Sequence, residues 1–253
     1  MKKIAFLFAL AFAIIGCNND DDVAVDAAVT FEFTQNWDGD PVTASNFNGA
    51  SSYTNALGTT LTISKLRYLI SGIELHKADG STIKFDDYQL IDVTDVNSLK
   101  LNPTLRVPTG EYTGISFIYG FNEADNVSGA YPDLNAASWN WPDMLGGGYH
   151  FMQMEGKYED ANGALQSYAY HHGTARVSEG VFEQNYLSFD FERNVTISGD
   201  TSIEIKMDVS EWYKNPYTWD LNVYDTDLMM NYAAQKYMHD NGASVFSIGA
   251  ISQ

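Results

Sequence analysis

From Val29 onward hydrophobic and polar positions alternate with a period of two, the repeat of a half-buried β-strand rather than of a helix. The clearest run sets Ile203, Ile205, Met207 and Val209 against Glu204, Lys206 and Asp208. Leu187, Phe189 and Phe191 alternate in the same way with Ser188, Asp190 and Glu192, and Phe31 and Phe33 flank Glu32. Further β-rich runs cover 60–76, 82–93, 111–121, 148–158 and 166–172, separated by the turn chemistries Asp79-Gly80, Asn162-Gly163 and Ser198-Gly199-Asp200. About eight strands with almost no helix between them predict an all-β fold, an antiparallel β-sandwich, with a barrel as the alternative closure.

One helix is predicted near the C-terminus, over 227–239, with Asp227 as its N-cap and Gly242 as its stop. Two connections, 38–58 and 122–147, are too long for passive turns, and loops of that length tend to be functional. The second carries Trp139 and Trp141. No internal repeat or change of composition divides the chain, so residues 29–253 read as one domain.

The N-terminus changes the picture. Lys2 and Lys3 precede an apolar stretch, Ile4 to Ile15, that is short for a bilayer span, so 1–16 reads as a secretory signal. Ile14-Ile15-Gly16-Cys17 is similar to a bacterial lipobox, and Cys17 is the only cysteine of the chain. Its thiol is therefore expected to be lipidated, with 17–28 as an acidic tether and the acyl chains as the membrane anchor. Without a second cysteine no disulfide can form, and the domain must rest on its core. Removing Lys2 and Lys3 leaves 12 basic against 33 acidic residues, a charge near −21, which excludes nucleic acid as a partner. An outer-membrane lipoprotein of the cell envelope, facing the periplasm or the cell surface, is the expected location. Asn18-Asn19-Asp20-Asp21-Asp22 is similar to the export signals of surface lipoproteins and would serve equally as a polar linker.

Candidate chemistry is soft and aromatic. There is no Gly-x-Ser-x-Gly elbow and no zinc-protease helix spacing, so an enzyme is not expected. The chain has five histidines, eight methionines and five tryptophans, and several of them are crowded between Trp139 and His172. In an extended strand His150, Met152 and Met154 would share one face, a set that suits copper; the same methionines would equally fill a core. His171 and His172 point to opposite faces of a strand, so at most one of them can serve a given metal unless a bulge intervenes. Hard oxygen donors at Asn122, Glu123, Asp125 and Asn126, or at Asp38 and Asp40, raise calcium, without the spacing of an EF-hand loop.

Several segments together resemble the MbnP-like family, named for a copper-binding periplasmic protein encoded beside methanobactin genes. The resemblance rests on Leu66-Arg67-Tyr68-Leu69-Ile70-Ser71-Gly72-Ile73-Glu74-Leu75 and on Gly114-Ile115-Ser116-Phe117 with Gly120. It continues through Trp139-Asn140-Trp141, then Gly148-Tyr149 with Phe151-Met152 and Glu155-Gly156, then Tyr170-His171 with Gly173. It implies a β-sandwich, copper bound by histidines, and a tryptophan oxidised to kynurenine by a partner di-haem peroxidase-like enzyme. Trp139 or Trp141 falls at the tryptophan-rich motif and His171 at the His-x-Gly position. The chain departs from the family in placing Met144 after the tryptophans, and His150 and His172 where apolar residues are usual. The expected function is a non-enzymatic copper-binding or copper-handling envelope lipoprotein. Its ligands are expected in the order His171, His150, then a group from Trp139 or Trp141, with Met152, Met154 or His172 as supplements. The rival reading is a surface adhesion or carbohydrate-binding module in which Trp139, Trp141 and Tyr149 form an exposed stacking platform.

Overall fold

The structure is a computed structural model that describes residues 25–253. Cys17 and the signal segment lie outside the described residues. Two sheets pack face to face. The larger runs, in spatial order, through Leu165–His172, Met152–Glu159, Thr60–Lys77, Gly110–Tyr119 and Leu187–Ile197, all antiparallel. Three short strands, Tyr53–Thr54, Thr82–Lys84 and Gln89–Asp92, add to the long Thr60–Lys77 strand. The smaller sheet orders Phe246–Ser252, Thr201–Asp208 and Asp26–Trp37.

The expected sandwich is therefore present, with one departure: Asp26–Trp37 pairs parallel to Thr201–Asp208, Phe33 lying opposite Ile205. Alternation along a strand specifies which side chains face inward but not the direction of its partner. Inward residues of both strands, among them Phe31, Phe33, Ile203, Ile205 and Met207, are buried in one core shared by the two sheets. The strand begins at Asp26, inside the expected tether, because Asp26 to Ala28 pair with Arg106 to Pro108.

Alternation gives way to continuous burial at Tyr68-Leu69-Ile70-Ser71, as it must where both faces of a sheet are covered. Tyr68 and Ile70 enter the shared core, whereas Leu69 joins a second, smaller cluster with Phe121, Leu134, Trp139 and Tyr149. That cluster is the underside of the 122–147 loop, which folds back over the outer face of the larger sheet around the short helix Pro132–Ala136.

The C-terminal helix runs over Tyr232–Gly242, five residues later than the sequence suggests, and its N-cap is Asn231, whose side chain accepts from Ala234 N. Asp227 takes the left-handed conformation and precedes a separate 3₁₀ turn, Leu228–Met230, so it caps nothing.

Candidate metal centre

Trp139 and Trp141 are fixed by a tight backbone exchange with the segment that leads into the Met152–Glu159 strand. His150 N donates to Trp139 O at 2.9 Å, Trp141 N donates to Gly148 O at 2.9 Å, and Asn140 bridges to Tyr149. Gly146, Gly147 and Gly148 all have positive φ, the conformation that lets the chain reverse here. Asn126 and Ser128 hold the outgoing side of that reversal, accepting from Tyr149 N and Gly148 N at 2.9 and 2.7 Å. The result is an indole on two sides of one imidazole: the His150 ring centroid lies 5.4 Å from that of Trp139 and 4.9 Å from that of Trp141.

A second histidine meets the first. The ring of His171 sits 5.4 Å from that of His150, edge to face. Strand register explains the arrival of His171: it pairs with Gln153, whose other neighbour is Arg67, so these three share the outer face of the sheet. His172, one residue on, pairs with Met152 and points into the core. On the outer face Glu155 receives both Lys65 Nζ at 2.8 Å and His171 Nε2 at 2.9 Å on the same oxygen. The Arg67 guanidinium lies 5.0 Å above the Trp139 ring and faces Asp92 at 3.3 Å.

Burial pushes the imidazole of His150 down to about 4, and the positive charge of Arg67 adds to that direction. Burial also lowers His171, outweighing its hydrogen bond to Glu155, which works the other way. Burial opposes the ionisation of Glu155, but its hydrogen bonds from Lys65 and His171 prevail and hold it below its usual value. At neutral pH the cluster thus holds two uncharged imidazoles beside an ionised carboxylate.

The family model for MbnP matches residues 26–231. The chain belongs to the MbnP family. A solved structure, MbnP from Methylosinus trichosporium, is similar over 89% of this chain and 99% of its own, with a TM-score of 0.58 and 15% identity. At that identity the likeness speaks for the fold alone. No curated protein matches the sequence.

Family membership places the indole–imidazole cluster within the matched span, and the structure sorts the candidate ligands. His150, His171, Trp139 and Trp141 come together. Met152 and Met154 do not: both are fully buried in the shared core, where Met154 Sδ accepts from Tyr213 OH at 3.7 Å. The expectation that His150 shares their face is corrected, because Phe151 and Met152, consecutive in the chain, both pack into that core and the bend at Phe151 breaks the alternation. His172 is enclosed between Tyr119 OH at 3.1 Å and Asn185 Nδ2 at 2.7 Å, away from the cluster. His76 bonds to Ser116 and His239 to Asp240.

Several of the acidic-loop donors bond within the protein, whereas Glu123 and Asp40 are exposed. Asn122 and Asp125 bond to each other, Asn126 serves Tyr149 N, and Asp38 pairs with Lys214. Among the described residues no group of three or more His, Cys, Asp or Glu side chains gathers as a metal cage, either at these loops or at the imidazole cluster. The sugar platform is absent too, since Trp139, Trp141 and Tyr149 are at most 1% exposed. Sequence reading overlooked Lys65 and the roles of Arg67 and Glu155; only the cross-strand register brings them to the histidines.

The donors left in the cluster are imidazoles, which suit copper, zinc, iron or nickel. His150 is buried and His171 partly exposed, and both offer neutral nitrogen donors; Trp139 Nε1 and Arg67 Nε are buried without a hydrogen-bond partner among the described residues, while Trp141 Nε1 donates to Leu145 O at 3.2 Å.

Proposed function

We propose that this protein binds copper, as the monovalent ion, between His150 and His171, and that it carries or stores the metal rather than catalysing a reaction. The observation that supports this is the meeting of two neutral imidazoles at 5.4 Å inside a box of buried indoles. Imidazole suits copper, and a pair of neutral donors with Arg67 and Lys65 nearby favours a singly charged ion of low coordination number over zinc or calcium. His150 and His171 would hold the ion, and bound copper would supply a redox-active centre shielded from water by Trp139 and Trp141. Copper titration of the full chain under reducing conditions tests the reading, with zinc and calcium as competitors. About one ion should bind, His171→Ala should weaken binding at least tenfold, and His239→Ala should leave it unchanged. Equal titration curves for all three proteins, or stoichiometric displacement by calcium, would remove the histidine pair from consideration.

The reading includes export and lipidation at Cys17, supported by the lipobox-like Ile14-Ile15-Gly16-Cys17. The first strand starts nine positions after Cys17, leaving a short tether between acyl chain and domain. Cys17→Ser should shift the protein from the detergent to the aqueous phase on partitioning; retention in detergent would count against the anchor.

A further inference from the structure

The two histidines differ in the nitrogen they leave free. Backbone carbonyls and carboxylates accept hydrogen bonds and do not donate them, so an imidazole nitrogen facing one carries the proton. His150 Nδ1 lies 3.1 Å from Trp139 O, which leaves Nε2 with the lone pair. His171 Nε2 lies 2.9 Å from Glu155 Oε1, which leaves Nδ1. Glu155 reaches His171 across the strand pair: its direct partner is Ala169, and His171 is the diagonal neighbour on the same face. Lys65, directly opposite Glu155 on the other side, bonds to the same oxygen at 2.8 Å and holds the carboxylate against rotation.

We propose that Glu155 is a positioning residue for the histidine pair: it accepts the hydrogen bond that His171 Nε2–H donates and so fixes the tautomer in which Nδ1 faces copper. This rests on the copper reading above and extends it outward, as a carboxylate–imidazole–metal triad in which the outer group orients the ligand and raises its basicity. No other side chain bonds to the His171 ring, so the tautomer has no second keeper among the described residues. Glu155 lines an open trough of about 520 Å³ together with Thr62, Ser64, Lys157 and Ser167. Truncating it therefore opens the trough to water and leaves the core intact.

The test compares wild type, Glu155→Ala and Glu155→Gln in the full chain, first without metal. Two-bond proton–nitrogen spectra of ¹⁵N-histidine protein should show His171 with Nε2 protonated in the wild type, a mixed or reversed tautomer in the Ala variant, and a return towards wild type in the Gln variant, whose amide oxygen still accepts. Cu(I) affinity should fall about 10- to 100-fold for Ala and less for Gln, with melting midpoints alike. A wild-type nitrogen pattern in Glu155→Ala overturns the proposal, as does unchanged affinity in that variant. If the wild type takes up no copper, the copper reading fails, while the nitrogen shifts still decide whether Glu155 sets the tautomer.

Discussion

His171 and His172 are adjacent, of one residue type, and have opposite fates. The sequence licenses the statement that they face apart, because neighbours in a strand do. It does not say which faces the metal candidates, since that depends on Gln153 and Met152 across the ladder. His150 was harder still, because the bend at Phe151 inverts the parity on which any face assignment relies. Its environment leads to a pH prediction. Its pKa is held at about 4 in the fold and returns to about 6.5 on unfolding, so the unfolded chain binds the extra proton first. The stabilising difference is complete above about pH 6.5 and is lost as pH falls to about 4, for a total near 3 kcal/mol. The stability gap between wild type and His150→Phe, from urea denaturation at several pH values, should close by that amount across the window. A gap independent of pH would mean that the ring is wet. The same direction of shift at both rings moves copper binding: ordinary histidines would release the ion as pH falls through about 6.5, whereas these two should hold it to lower pH.

At the scale of elements, the strands were legible and the loop was not. Period-two runs such as Ile203 to Val209 declare themselves because one face is buried and the other wet. The 122–147 loop carries no such repeat, and its path follows from side-chain to backbone bonds at Asn126, Ser128 and Asn135 that no pattern announces. The helix start was misread for a related reason: Asp227 and Asn231 are both acceptable caps by residue type, and the 3₁₀ turn between them decides. The glycine of the His-x-Gly motif now has a steric meaning. A Cβ on Gly173 would lie 2.6 Å from ring carbons of Trp141, so the indole can rest on this backbone only if the residue is glycine. Gly173→Ala should cost about 1–3 kcal/mol and change the tryptophan emission as Trp141 is pushed off the cluster. Gly199→Ala, with ordinary backbone and nothing within 4 Å, is the matched control and should melt like wild type. Equal melting of the two variants would show that Trp141 has room to move.

For the whole molecule, the family match ends at residue 231, yet the fold does not. The last 22 residues hold the helix Tyr232–Gly242 and the strand Phe246–Ser252, which extends the smaller sheet beside Thr201–Asp208. Phe246 lies between the sheets, with its ring 5.1–6.0 Å from those of Phe189, Phe117, Tyr119 and Tyr68. Buried Gln235 donates to His171 O at 2.7 Å and accepts from Gly173 N at 3.2 Å, and buried Asn241 donates to Trp212 O and Tyr217 O. Deleting this segment removes a core phenylalanine, worth about 3–5 kcal/mol, and leaves several buried backbone groups unpaired at about 1–3 kcal/mol each. Those losses together reach the typical total stability of a domain, about 5–15 kcal/mol. They also fall on the backbone of His171 and Gly173, so the site is undone along with the sheet. A chain ending at Asn231 should therefore show no cooperative thermal transition and no copper uptake, whereas the full chain should show both. A sharp transition at the full-chain midpoint in calorimetry would show that the segment beyond the family match is an appendage, and that the backbone of His171 is held in place without Gln235.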